Sequence, residues 1–158
     1  MTSITTERRN GVAGEVCAAV LATLPDWFGF PEVNADYAAA AEREPTVVAV
    51  EGSEPLGMLT LIRHGDKAAE VLVMGVLAAH RGRGIGTAMM NEAEAWLHED
   101  GIEYLQVKTL AATQPDPGYE ATRGFYHARG FIDLEVFETL WEPGNPALLM
   151  VKKLAADR

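Results

Sequence analysis

The chain has 158 residues, 48% of them hydrophobic, which is the size and apolar content of one ordinary domain with a full core. Thirteen Lys and Arg against 23 Asp and Glu give a formal net charge of −10, which argues against a nucleic-acid backbone as partner. The lone Cys17 cannot form an internal disulfide, no stretch approaches the ~18 apolar residues of a membrane span, and the start lacks a basic segment followed by an apolar run; the expectation is a soluble, cytoplasmic protein with no membrane contact.

Residues 2 to 6, β-branched or small, read as a short first strand. Residues 11 to 24 carry Val12, Val16, Ala19 and Val20 at helical spacing and stop at Pro25, which predicts a first helix. In that pattern Cys17 is a packing residue. Residues 25 to 31 hold two prolines, a glycine and the aromatics Trp27, Phe28 and Phe30, the composition of a structured loop that can line a pocket. A second helix is expected over 32 to 43, then strands over 46 to 50 and 56 to 62 joined by a hairpin turn, and a further strand over 69 to 76.

That last strand is apolar on both faces after Glu70, with Leu72, Met74 and Val76 expected on one side and Val71, Val73 and Gly75 on the other, so it should lie centrally. Beyond it come Gly82, Gly84 and Gly86, then a helix with an inward stripe of Ile85, Ala88, Met89, Ala93, Trp96 and Leu97. Residues 102 to 109 alternate as a strand, parallel to the previous one because a helix intervenes. A loop over 110 to 118, a helix over 120 to 129 and strands over 131 to 140 and 148 to 154 complete the reading.

The glycine-rich turn leaves backbone N–H groups uncovered at a helix start, where the helix dipole adds partial positive charge, so it can cradle phosphate. Spacing excludes two nucleotide motifs. No Gly-Lys-Ser/Thr follows the glycines, and the sixth position counted from Gly82 is Thr87 instead of glycine. What remains is Arg81-Gly-Arg-Gly-Ile-Gly86, a match to Arg/Gln-x-x-Gly-x-Gly/Ala between strand and helix.

On that motif, with Val76 at the end of the strand before it and Thr122-Arg-Gly-Phe-Tyr126-His-Ala-Arg-Gly-Phe131 as a second signature, the sequence resembles the GNAT superfamily of acyl-coenzyme A-dependent N-acetyltransferases over nearly its whole length. Ala78 stands where the family often has proline, and Tyr119 where it often has asparagine. The resemblance implies an α+β fold: a mostly antiparallel twisted sheet of about seven strands with a splayed parallel pair, flanked by about four helices, in a single domain over 1 to 158. It implies acetyl-CoA as acyl donor, no metal, and a homodimer as one possible assembly. Val76, Arg81, Gly82, Arg83, Gly84, Ile85, Gly86 and Thr87 would bind the coenzyme, with the family's oxyanion contact mapping near Val76 on a bulged strand.

Acetyl transfer to an amine needs a neutral nitrogen, and a free alkyl amine with a pKa of about 10 arrives protonated at neutral pH. A base or a water chain must take that proton, and Glu70, eleven positions before Arg81, matches the glutamate of histone-acetylating members and is the candidate base. Tyr126 resembles the family's tyrosine that donates to the departing thiolate and is the candidate acid. The acceptor site is expected around Trp27, Phe28 and Tyr37, the 110 to 120 loop and Trp141. Asp26, Glu32, Asp36, Asp116 and Glu120 face either a cationic acceptor there or water. The leading function is N-acetylation of a primary amine of a small molecule or peptide; the alternative is a non-catalytic acyl-CoA-binding sensor or regulatory module.

Overall fold

The structure is a computed structural model that describes residues 3 to 113 and 116 to 154. Seven strands form one mixed sheet: β1 (Ile4–Asn10), β2 (Pro45–Glu51), β3 (Glu54–Arg63), β4 (Ala68–Val76), β5 (Tyr104–Leu110), β6 (Ile132–Phe137) and β7 (Ala147–Lys153), in the spatial order β1-β2-β3-β4-β5-β7-β6. β1 to β4 are an antiparallel meander, β4 and β5 run parallel, and β7 lies antiparallel between β5 and β6. Four helices flank the sheet: α1 (Gly14–Ala22), α2 (Pro31–Arg43), α3 (Ile85–Glu99) and α4 (Pro117–Ala128). Because α3 connects β4 to β5, the two strands must be parallel.

The core has two halves, one on each face of the sheet. Ile85, Met89, Met90, Ala93 and Leu97 of α3, with Tyr126 of α4, pack on one face. Cys17, Val20 and Leu21 of α1, with Ala41 of α2, pack on the other. The α3 stripe is thus core, as its spacing predicts.

Several boundaries differ from the sequence reading, each for a local reason. The first helix begins at Gly14, because Gly11 and Val12 adopt φ of +87° and +58° in a tight turn. A Cβ at Gly11 would lie 2.6 Å from the Glu42 carbonyl oxygen, and Val12 and Ala13 donate backbone bonds to Glu42 and Ala41, so this turn is fitted to the end of α2. Val12, expected on the helix stripe, is instead 74% exposed. The predicted loop over 110 to 118 is shorter. Leu110 still pairs with Ala147, and Pro117 and Gly118 already belong to α4, whose start is set by Asp116 accepting from Gly118 N and Tyr119 N. Part of that loop, residues 114 and 115, falls outside the described residues.

β4 departs from plain alternation. Its register with β3 shifts between Thr60 and Leu61, which pair with Val73 and Val71, leaving Leu72 as a bulge. Leu72 and Val73 therefore both pack toward α1 and α2, whereas Val71, Met74 and Val76 face α3 and α4. This corrects the expected grouping of Leu72 with Met74 and Val76. Gly75 has its reason here, since a Cβ would come within 3.0 Å of Val20 and 3.1 Å of Leu24.

Candidate active site

The bulge at Leu72 is where the sheet opens. β4 and β5 pair from Ala68↔Tyr104 only as far as Val71↔Val107, while β5 stays paired with β7 through Leu110. Beyond that point a cavity of about 1120 Å³ separates the strands, walled by Val71 to Val76 on one side and Val107 to Leu110 on the other. Both walls carry backbone N–H and C=O groups without a strand partner across the gap, so an extended chain with amide groups can take that place.

One end of the cavity meets the glycine turn. Gly82 and Gly84 hold φ of +80° and +77°, and Gly84 is the N-cap of α3, with no side chain capping the helix. Ala88 N bonds back to the Gly84 carbonyl at 3.0 Å, so the N–H groups of Ile85, Gly86 and Thr87 precede the helix ladder. No acidic residue occupies the first turn. Free N–H groups at the positive end of a helix dipole are a geometry that can receive an anion. Val76, Arg81, Gly82, Gly84, Ile85, Gly86 and Thr87 all line the cavity. Arg83 does not: its guanidinium donates to Glu51 Oε2 at 2.6 Å and to His80 Nδ1 at 2.7 Å, tying the turn to the β2–β3 hairpin.

Tyr126 lies in the cavity wall, 5% exposed, with its ring edge-on to Phe125 (5.5 Å) and Phe131 (5.3 Å). Burial pushes its phenol well above the ordinary tyrosine value, so it is a protonated donor throughout the neutral range. α4 is anchored beside it by Arg123, which donates to the Leu110 carbonyl at 2.6 Å.

Glu70 is buried, 6% exposed, but does not itself line the cavity. Its carboxylate accepts from Lys108 Nζ at 3.1 and 3.2 Å, from Gln106 Nε2 at 3.1 Å and from His64 Nε2 at 2.7 Å. Glu70 is opposite Gln106 in the parallel register, which puts Lys108, two residues on, over the same face. Lys108 does line the cavity, and His64 reaches solvent. Tyr37 sits near enough that burial first, and the Glu70 charge second, raise its phenol above the ordinary value.

Much of the remaining lining is aromatic: Trp27, Phe28, Tyr37 and Trp141 line the cavity as the sequence suggests, joined by Phe30 and Leu140. Of the acids singled out in the sequence, Asp26 and Asp116 line the cavity, whereas Glu32, Asp36 and Glu120 are exposed away from it. Polar residues that sequence reasoning missed also belong to the wall, among them Asn34, Lys108, Thr109, Glu142 and Asn145. Asn34 Oδ1 and Thr109 Oγ1 are buried without a hydrogen-bond partner. Leaving an acceptor or hydroxyl orphaned costs about 1–3 kcal/mol at each of these buried atoms.

The acetyltransferase (GNAT) family model matches residues 18 to 131, which is more than half of the chain and includes the turn and Tyr126. The chain belongs to the GNAT acetyltransferase family. Solved structures agree in fold. A GNAT-family protein of Desulfovibrio desulfuricans superposes with a TM-score of 0.82 at 18% identity, covering 97% of this chain and 100% of that one. The ribosomal-protein-S18-alanine N-acetyltransferase of Escherichia coli gives 0.79 at 14% identity, with 99% and 97% covered. A GNAT acetyltransferase of Elizabethkingia anophelis with acetyl-CoA bound gives 0.74 at 15% identity, with 96% and 98% covered. No curated protein sequence matches this one.

Two departures from the GNAT pattern have structural counterparts. Tyr119 donates its hydroxyl to the Trp27 carbonyl at 3.0 Å, tying α4 to the α1–α2 connection, and the Trp27 ring in turn carries the Arg81 guanidinium 4.4 Å from its centroid. Ala78 uses a backbone N–H that proline lacks to bond Thr23 Oγ1 at 3.1 Å.

Proposed function

We propose that this GNAT chain moves an acetyl group from acetyl-CoA to a primary amine of a small molecule or peptide by direct attack. The observation that carries this reading is the continuity of one cavity from the capless α3 turn, through the opened β4/β5 gap, to Tyr126 and Lys108. Acetyl-CoA supplies an activated acetyl thioester. The N–H groups of Ile85, Gly86 and Thr87 and the Arg81 guanidinium suit its diphosphate. The strand edges left open beyond Val71 and Val107 suit its amide-bearing arm, with a backbone N–H of β4 near Val76 polarising the carbonyl.

In this reading Tyr126 donates its proton to the departing thiolate. Glu70 is the base, acting at one remove because it lies behind Lys108. Lys108 hands one proton to the carboxylate as it takes one from the amine, and His64 returns the proton from Glu70 to solvent. Arg83 contributes its backbone to the turn but not its charge, which is engaged by Glu51.

Thiol release from acetyl-CoA in the presence of primary amines tests the reading. Amine-dependent release supports transfer. Saturable acetyl-CoA binding with no release for any amine supports instead the binding-only sensor, which the occupied state of Glu70 would also suit.

A further inference from the structure

Resting on the acetyl-CoA reading, we propose that Trp27 is a positioning residue for the coenzyme: its ring holds the Arg81 guanidinium at the glycine turn and leaves the N–H groups of Arg81 available to the diphosphate. The two arginines of the turn are held differently. Arg83 is fixed through its N–H groups, which donate to Glu51 and His80. Arg81 lies over the Trp27 ring, 4.4 Å from its centroid, and makes no hydrogen bond or ion pair among the described residues. A guanidinium donates in its own plane, so a ring beneath it can fix its place without occupying a donor. Binding an anion to an arginine already in place avoids part of the cost of ordering a long side chain.

Trp27 is itself fixed, and mainly by α4. Its carbonyl accepts from the Tyr119 hydroxyl at 3.0 Å, and its backbone N–H donates to the Leu24 carbonyl at 3.2 Å. A Cβ on Gly118 would come within 2.9 Å of Cζ2 and 3.1 Å of Cε2 of the Trp27 ring. Gly118 lies within α4 and does not have a positive φ, so the place of the ring, not the backbone, is what excludes a side chain there. The same α1–α2 connection reaches the segment before the turn at a second point, where Thr23 Oγ1 accepts from Ala78 N at 3.1 Å. The position of Arg81 is thus passed from α4 through Trp27, residues that lie far from the turn in the chain.

The test is a double-mutant cycle on Trp27 and Arg81, read by calorimetry of coenzyme A, which binds without turnover. Trp27→Leu should weaken coenzyme A by about threefold to tenfold, the range of a ring–cation contact. Trp27→Phe keeps an aromatic face and should stay closer to wild type than to the leucine variant. In an Arg81→Ala background Trp27→Leu should change affinity by less than about twofold, because the ring then has no cation to hold. Dephospho-coenzyme A keeps the diphosphate and lacks the 3′-phosphate, so it should show the same losses. If Trp27→Leu does not fold, Trp27→Met completes the cycle.

A loss that simply adds to that of Arg81→Ala makes Trp27 a structural or acceptor-side residue and overturns the proposal. A loss seen with coenzyme A but not with dephospho-coenzyme A overturns it too, since Arg81 then serves a different phosphate. Wild-type affinity in a folded Trp27→Leu protein removes this inference and leaves the coenzyme reading standing, whereas a wild-type protein that does not bind coenzyme A overturns both.

Discussion

The Lys108 ammonium bridges both carboxylate oxygens of Glu70, at 3.2 and 3.1 Å, and it is Lys108, not Glu70, that faces the cavity. A base that works through a neighbour should fail when either member is lost. Glu70→Gln is expected to lower kcat about a hundredfold at neutral pH with coenzyme affinity retained, and Lys108→Met to lower it comparably. Rates unchanged across the pH range in both variants would remove the pair from the mechanism.

Tyr126→Phe removes one oxygen and keeps the ring contacts to Phe125 and Phe131. The fold should survive, KM should move little, and kcat should fall by about a hundredfold where chemistry limits turnover. Full turnover under those conditions would make the acid role untenable.

Gly84 has φ of +77° at the N-cap of α3, and a Cβ there would touch nothing, so substitution is penalised by backbone strain and not by crowding. Gly84→Ala should lose about 1–2 kcal/mol of stability. Gly84→Asp adds a negative charge where the helix start is set up for an anion, so acetyl-CoA affinity should fall further than in the alanine variant. Wild-type affinity for the aspartate variant by calorimetry would defeat the assignment of this turn.

Burial holds the Tyr126 phenol above the ordinary tyrosine value and pushes the Cys17 thiol up to about 11. In the unfolded chain both groups release their protons first, so from about pH 9 upward the unfolded state binds fewer protons than the native state. Stability contributed by these neutral groups is complete below the unfolded values and is lost as pH rises through the folded ones. Urea midpoints should therefore drop between about pH 9 and pH 11, less steeply in Tyr126→Phe. A midpoint independent of pH over that window would contradict this.

What could be read in the sequence is what depends on local patterns. The turn from Arg81 to Gly86, the α3 stripe, and Phe125-Tyr126 before Phe131 carry their signals within a few residues; the structure puts the turn and Phe125-Tyr126 at one cavity and the stripe and Phe131 in the core. Lys108 and Thr109, which line the cavity, carry no such signal. Their importance comes from where β4 parts from β5, and that point is set by the Leu72 bulge, which a run of apolar residues cannot reveal. The β4/β5 register is also what joins Glu70 to Lys108, residues 38 apart in the chain. Gly11 and Val12 read as helix because their turn is shaped by contacts with α2.

The central claim is that acetyl is transferred, not merely held. Mass analysis of the amine, alongside counted thiol, measures it most directly. The account predicts one acetylated amine per thiol released, with the yield in a fixed time strongly reduced in Tyr126→Phe. Acetyl-CoA that binds saturably yet leaves every amine at its original mass would contradict it.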